Sequence, residues 1–209
     1  SVGDVYLGKV KKILPALNAA FGDIGDEKQA FVHYLDLGLY FNAFDEFVKR
    51  LNPNTDAKGI YKHIKPGPIL EKEGRIENVL TPGQMIIVQI VKEPISTKGS
   101  RLTAEISLAG RNIVLLPFAE KVSVSQKISS KEEKRRLETL VRSILPKNYG
   151  AIIRTAAEGK NAAVLDGEVM SLVEKWENSW KKLAKSKDVQ LLFTEYSKTT
   201  TILRDLLND

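Results

Sequence analysis

The chain contains no cysteine and only two histidines, His33 and His63. The first absence excludes a disulfide scaffold, an iron–sulfur centre and a Cys-ligated zinc site. Two histidines far apart in the chain, with no HExxH pairing, offer little to a His-based zinc site or a Ser-His-Asp triad. No apolar run approaches the ~20 residues that a membrane-spanning helix needs. The GxxxxGK[ST] spacing of a nucleotide-hydrolase phosphate loop is missing, and there is no internal repeat or low-complexity segment. The first residue is Ser1, with no signal-peptide pattern after it, as expected of a trimmed or excised piece. What is present is 209 residues with 43% hydrophobic and 28% charged content. That composition fits one large or two small globular domains and argues against extended disorder. A net charge of +6 inclines only weakly toward an anionic partner.

The first hundred residues read as β-rich. Residues 4–14 (DVYLGKVKKIL) alternate apolar and polar, as a half-buried strand does, and Pro15 ends the run. Residues 19–24 and 29–33 are two short strands joined by the hairpin chemistry of Gly25-Asp26-Glu27-Lys28. Residues 85–93 and 101–108 supply a fourth and a fifth strand. Five short strands predict a closed antiparallel barrel, since closure removes exposed edges. A long insertion, 34–82, separates the third and fourth strands. Its first half has helical apolar spacing at Phe41, Phe44, Phe47, Val48 and Leu51. Its second half, 52–74, is rich in Pro, Gly and Lys and reads as a mobile loop.

Past Gly110 the pattern changes to mixed α+β. Residues 113–118 form a short buried strand. Ser130 precedes Glu133 at capping-box spacing, and the helix it opens carries Leu137, Leu140, Val141, Ile144 and Leu145 until Pro146. Residues 149–155 are a strand, 165–183 an amphipathic helix with a Lys-rich end, 189–194 a strand, and 201–207 the start of a last helix.

Three features carry possible chemistry. Phe21 and Phe31 sit on the two strands of the predicted hairpin. Facing outward they would stack single-stranded bases; facing inward they would be core. The turn 94–101 (PISTKGSR) brings Lys98, Arg101, two serines and a threonine to a glycine-containing loop, either a phosphate contact or a solvated hairpin. Residues 152–160 (IIRTAAEGK) deliver Arg154 and Thr155 side by side at a strand end. Arg154 is there either a fork for phosphate or a structural ion-pair partner. Carboxylates form no evident catalytic pair: Asp166 and Glu168 lie near a helix start, and Glu71, Glu73 and Glu77 in the loop region. A Mg²⁺-dependent nuclease needs converging carboxylates.

The segments GDVYLGKV, AAFGDIG, QAFVH, KEPISTKGSRLTAEISLAGRNIVLLP, VSQKI and IIRTAAEGK together resemble the N-terminal half of the ribonuclease E/G family. TKGSRLT and IIRTAAEG stand nearer its ribonuclease G branch. The likeness runs from about Gly3 to the C-terminus and is poorest over 34–78. It implies an α+β fold: an S1/OB-type five-stranded barrel over 1–108 with the insertion 34–82, a 5′-sensor region over 109–194, and a helix over 195–209 leading onward. It implies that Phe21, Phe31 and Lys98 contact RNA, and that Arg154 and Thr155 grip a 5′-monophosphate in a pocket to which Gly110 and Val114 contribute. The partner would be single-stranded RNA with a 5′-monophosphate. The setting would be cytoplasmic RNA processing and decay by a homo-oligomeric endoribonuclease. In the family, Mg²⁺ and a structural zinc are held by later segments, so no cofactor and no cleavage are expected of this chain. A stand-alone OB-fold RNA-binding protein is the alternative.

Overall fold

The computed structural model of the chain describes residues 1–65 and 67–195. The helix expected over 201–207 lies outside them. Five strands close a barrel: β1 (Val5–Leu14), β2 (Ala19–Asp23), β3 (Ala30–His33), β4 (Met85–Lys92) and β5 (Arg101–Thr103). Their order is β1-β2-β3-β5-β4, and β4 returns to pair with β1 from Val5↔Gln89 to Lys9↔Met85. All pairings are antiparallel except β3 with β5. This is the OB-type barrel within an α+β chain that the sequence predicts.

Strand faces follow the residue pattern. Val10, Ala20, Ala30, Val32, Ile86, Val88, Ile90 and Leu102 fill the barrel interior. A bulge at Lys11 lets Val10 pair with Gly22 and Lys12 with Phe21. The extra residue restores the phase, so that Lys12 points outward where simple alternation would turn it inward. Strand β4 is buried on both faces: Ile86, Val88 and Ile90 look into the barrel, and Ile87 joins a second cluster outside it. That is why its sequence, MIIVQIVK, carries apolar residues at successive positions, interrupted only by the buried Gln89 before Lys92 ends it.

The insertion contains α1 (Phe41–Arg50) and α2 (Ala57–His63). The loop expected over 52–74 is thus interrupted by a helix. The reason is tertiary: Tyr61 and Ile64 are buried. The Tyr61 ring lies 5.5 Å from Phe47, 4.3 Å from Phe118, 4.9 Å from Tyr149 and 5.0 Å from Trp180. Its hydroxyl donates to Asn148 O at 2.5 Å and accepts from Phe118 N at 3.0 Å. Burial of rings of this size outweighs the weak helix propensity of AKGIYKH. The insertion is therefore a joint between the barrel and the second unit of the chain.

That second unit is a four-stranded sheet of β6 (Leu108–Ala109), β7 (Ile113–Pro117), β8 (Val122–Val124) and β9 (Tyr149–Ile153), in the order β6-β7-β9-β8. Two helices join it: α3 (Lys131–Ile144) buries Leu137 and Val141, and α4 (Ala162–Lys185) buries Leu165, Val169, Val173, Trp176, Trp180 and Leu183. Ser130 caps α3 by accepting from Glu133 N at 3.1 Å, and Asn161 caps α4 by accepting from Val164 N at 3.0 Å. After α4 the chain returns as β10 (Gln190–Phe193), which pairs antiparallel with β1 at Val5–Leu7. The expected single strand 101–108 is two strands in different sheets. Leu102 and Ala104 belong to the barrel core, Ile106 and Leu108 to the larger cluster.

Candidate nucleic-acid interface

On the barrel, inward Ala20, Ala30 and Val32 leave Phe21 and Phe31 on the outer face, half-buried. They are direct cross-strand partners with ring centroids 6.0 Å apart and planes at 65°. The register extends the row to both sides, with Lys12 opposite Phe21 and Arg101 opposite Phe31. Arg101 is held by Asp36 through an Nη2–Oδ2 contact of 3.0 Å. The turn bearing Lys98 is docked on the start of β3. Ser100 O accepts from Phe31 N at 2.8 Å, and Ser96 O accepts from the Lys28 ammonium. Gly99 permits this approach, because a Cβ there would collide with the Gln29 carbonyl. Lys98 itself is exposed. Two outward rings with cations on either side can stack bases and meet phosphates.

The second surface is an open cavity of about 400 Å³ lined by Arg111, Ser125, Lys127 and residues 152–156. The parallel pair β8 and β9 ends here, with Val124 beside Ile153, so the next residues of each, Ser125 and then Arg154 and Thr155, reach the rim together. The Ser125 and Thr155 hydroxyls lie 2.8 Å apart. Ser125 N donates to Ile153 O at 2.8 Å. Arg154 is tied twice to the turn before β7: its backbone N donates to Asn112 O at 2.8 Å, and Nη1 donates to Gly110 O at 2.8 Å. Use of one Nη leaves the rest of the guanidinium fork for a ligand. Three cations and no carboxylate line the cavity.

Gly110, expected in the pocket wall, is not among the residues lining the cavity; it is tied to it through the carbonyl that holds the Arg154 guanidinium. Val114, on β7, lines the adjoining groove of about 760 Å³, which shares Ile152 with the pocket. Behind the rim, Glu133 accepts from Gly159 N at 2.6 Å and from the Arg136 guanidinium, which in turn donates to Lys160 O at 2.9 Å. These contacts fasten the loop after Thr155 to α3. Hydrogen bonds from Arg136 and Gly159 bring the Glu133 carboxyl down to about 2.

Comparison with known proteins points the same way. A family model described as the Ribonuclease E/G family matches residues 107–209. Ribonuclease G of Haemophilus influenzae is 35% identical over 206 residues, covering 99% of this chain and 38% of that protein. Ribonuclease E of a Nostoc species is 33% identical over 206 residues, covering 98% of this chain and 26% of that protein. The chain belongs to the ribonuclease E/G family. Ribonuclease E of a Synechocystis species is 36% identical over 177 residues, so identity alone does not separate the G from the E branch. The chain spans 38% and 26% of the lengths of the first two relatives.

Among the described residues no group of three His, Asp or Glu side chains is placed to hold a metal ion. Nor is any described helix long and apolar enough to cross a membrane. Sequence reasoning missed Arg111, Ser125 and Lys127 as lining residues. The signal was the segment VSQKI, but three residues of β8 are too short for periodicity to reveal the strand that aims Ser125.

Proposed function

We propose that this chain is the RNA-recognition portion of a single-strand-specific endoribonuclease of cytoplasmic RNA processing and decay. In this reading the barrel binds single-stranded RNA, and the cavity at Arg154 senses a 5′-monophosphate. The division is a barrel over 1–108, with its 34–82 insertion, and a sensor over 109–194. The nuclease centre and its metal lie in another part of a longer, homo-oligomeric protein. Phe21 and Phe31 stack bases, and Lys98 meets the phosphates that pass the docked turn. Stacking on aromatic rings is tolerant of sequence, as a general decay enzyme requires.

The observation that carries the sensor reading is the joint delivery of Arg154 and Thr155 to one rim, with the guanidinium braced by Gly110 O. A terminal monophosphate accepts two parallel N–H bonds from Arg154 and one O–H bond from Thr155. Arg111 and Lys127 add positive potential without fork geometry. A 5′-hydroxyl end leaves the guanidinium without its anion, and a triphosphate carries bulk beyond the rim. Discrimination thus combines charge and size. Val114 and Ile152 continue the wall into the groove where the first nucleotide lies.

Calorimetry with 5′-monophosphorylated and 5′-hydroxyl oligonucleotides of one sequence tests this. Tighter binding of the monophosphate, abolished by Arg154→Ala and only partly restored by Arg154→Lys, is expected. Equal affinities for both ends would refute the sensor.

A further inference from the structure

The carboxylate of Glu168 accepts from the backbone N of Asn112 through both oxygens, at 3.0 and 3.2 Å. It is absent from the cavity lining. Asn112 is buried, and its carbonyl takes the backbone N–H of Arg154. Two residues earlier, the carbonyl of Gly110 takes the guanidinium. The carboxylate also occupies the space in which a side chain at Gly110 would begin: a Cβ there would collide with it. Glycine at 110 and glutamate at 168 are thus fitted to each other across α4 and the turn before β7.

We infer that Glu168 is a positioning residue for the anion pocket, acting through the 110–112 turn to set the direction of the Arg154 fork. The inference rests on the proposed phosphate-sensing function of that pocket. A negative charge beside an anion site is on its own unfavourable, since its Coulomb term opposes a bound phosphate. Its presence is explained by geometry. A charge-assisted acceptor holds a backbone N–H more firmly than a neutral one, and the turn it fixes carries both of Arg154's protein acceptors. A fork that must meet two phosphate oxygens at once loses most when its direction is released.

The two physical effects of removing the carboxylate have opposite signs, which makes the test decisive. The 209-residue chain is compared with Glu168→Ala and Glu168→Gln. The measurements are binding of 5′-monophosphorylated and 5′-hydroxyl oligouridylate of one length, and amide exchange at Arg154. In Glu168→Ala the preference for the monophosphate should fall about tenfold, while binding of the 5′-hydroxyl strand stays unchanged. The Arg154 amide should exchange faster. Glu168→Gln retains one acceptor oxygen and should restore most of the preference. A rise in monophosphate affinity in Glu168→Ala, with unaltered exchange at Arg154, would mean that the carboxylate acts only as a charge and would overturn the inference. Equal loss of both strands together with a lowered melting temperature in both variants would also overturn it, as a merely structural role. If the unmodified chain shows no preference, the sensor reading fails by itself. Arg154 amide exchange then decides the positioning claim alone, faster exchange in Glu168→Ala supporting it and unchanged exchange refuting it.

Discussion

In the proposed function the barrel face and the Arg154 cavity would meet a nucleic acid in opposite ways. On the barrel, Phe21 and Phe31 project half-buried from adjacent strands of a closed sheet, paired directly across the strands with ring centroids 6.0 Å apart. Such a platform gives affinity through ring area. At the cavity, each functional group is fixed by a partner from another segment: Arg154 by Gly110 and Asn112, Thr155 by Ser125, and the loop after them by Glu133. Such a frame gives discrimination. The difference teaches that a strand pattern alone can make a tolerant surface, whereas a selective one takes several chain segments held in register.

The widest break in the comparison comes at the joint the two surfaces share. Trp176 is fully buried and lies 6.0 Å from Phe44 of the insertion, ring to ring. Trp176→Ala should cost about 3–5 kcal/mol and weaken both surfaces together, as thermal melting would show. Next in size, Arg154→Ala should cost the monophosphate about 1.5–3 kcal/mol and leave the 5′-hydroxyl strand alone, by calorimetry. Phe21→Ala should cost about 1–3 kcal/mol for either kind of end without unfolding the barrel, by the same measurement and circular dichroism.

The smallest effect is one of pH. Glu133 has a carboxyl lowered to about 2 in the fold from 4.5. A lowered carboxyl contributes stability above its unfolded value and loses it as pH falls through the folded one. Protection of the Gly159 amide should therefore weaken as pH drops from about 4.5 toward about 2. Glu133→Gln should remove that dependence, by hydrogen exchange.

These surfaces were not equally legible in the sequence. Alternation placed β1, and short apolar runs bounded by turn residues placed β2, β3 and β4, to within a residue at each end, while helical spacing placed α1, α3 and α4. Alternation failed at 101–108, because Leu102, Ala104, Ile106 and Leu108 are all buried while the chain passes from one core cluster to the other. It failed at α2, whose order comes from the ring contacts of Tyr61 and not from its own residues. The outward direction of Phe21 and Phe31 was open on pattern alone, since a phenylalanine is as readily core; the neighbouring alanines and the barrel closure decide it. For the cavity, Arg154 and Thr155 stood out as a pair. Ser125, Arg111 and Glu168 did not, since what brings them together is the parallel pairing of β8 with β9 and the return of α4 across the sheet.

Division of labour between the two surfaces is tested most directly by a four-way titration. Affinities for 5′-monophosphorylated and 5′-hydroxyl RNA are measured for the unmodified chain, Phe21→Ala, Arg154→Ala and the double variant. Phe21→Ala should weaken both ligands alike and keep their ratio, Arg154→Ala should bring the ratio to about one, and the double variant should show the sum of the two effects. A ratio of one in the unmodified chain, or a ratio lost in Phe21→Ala as fully as in Arg154→Ala, would contradict that division.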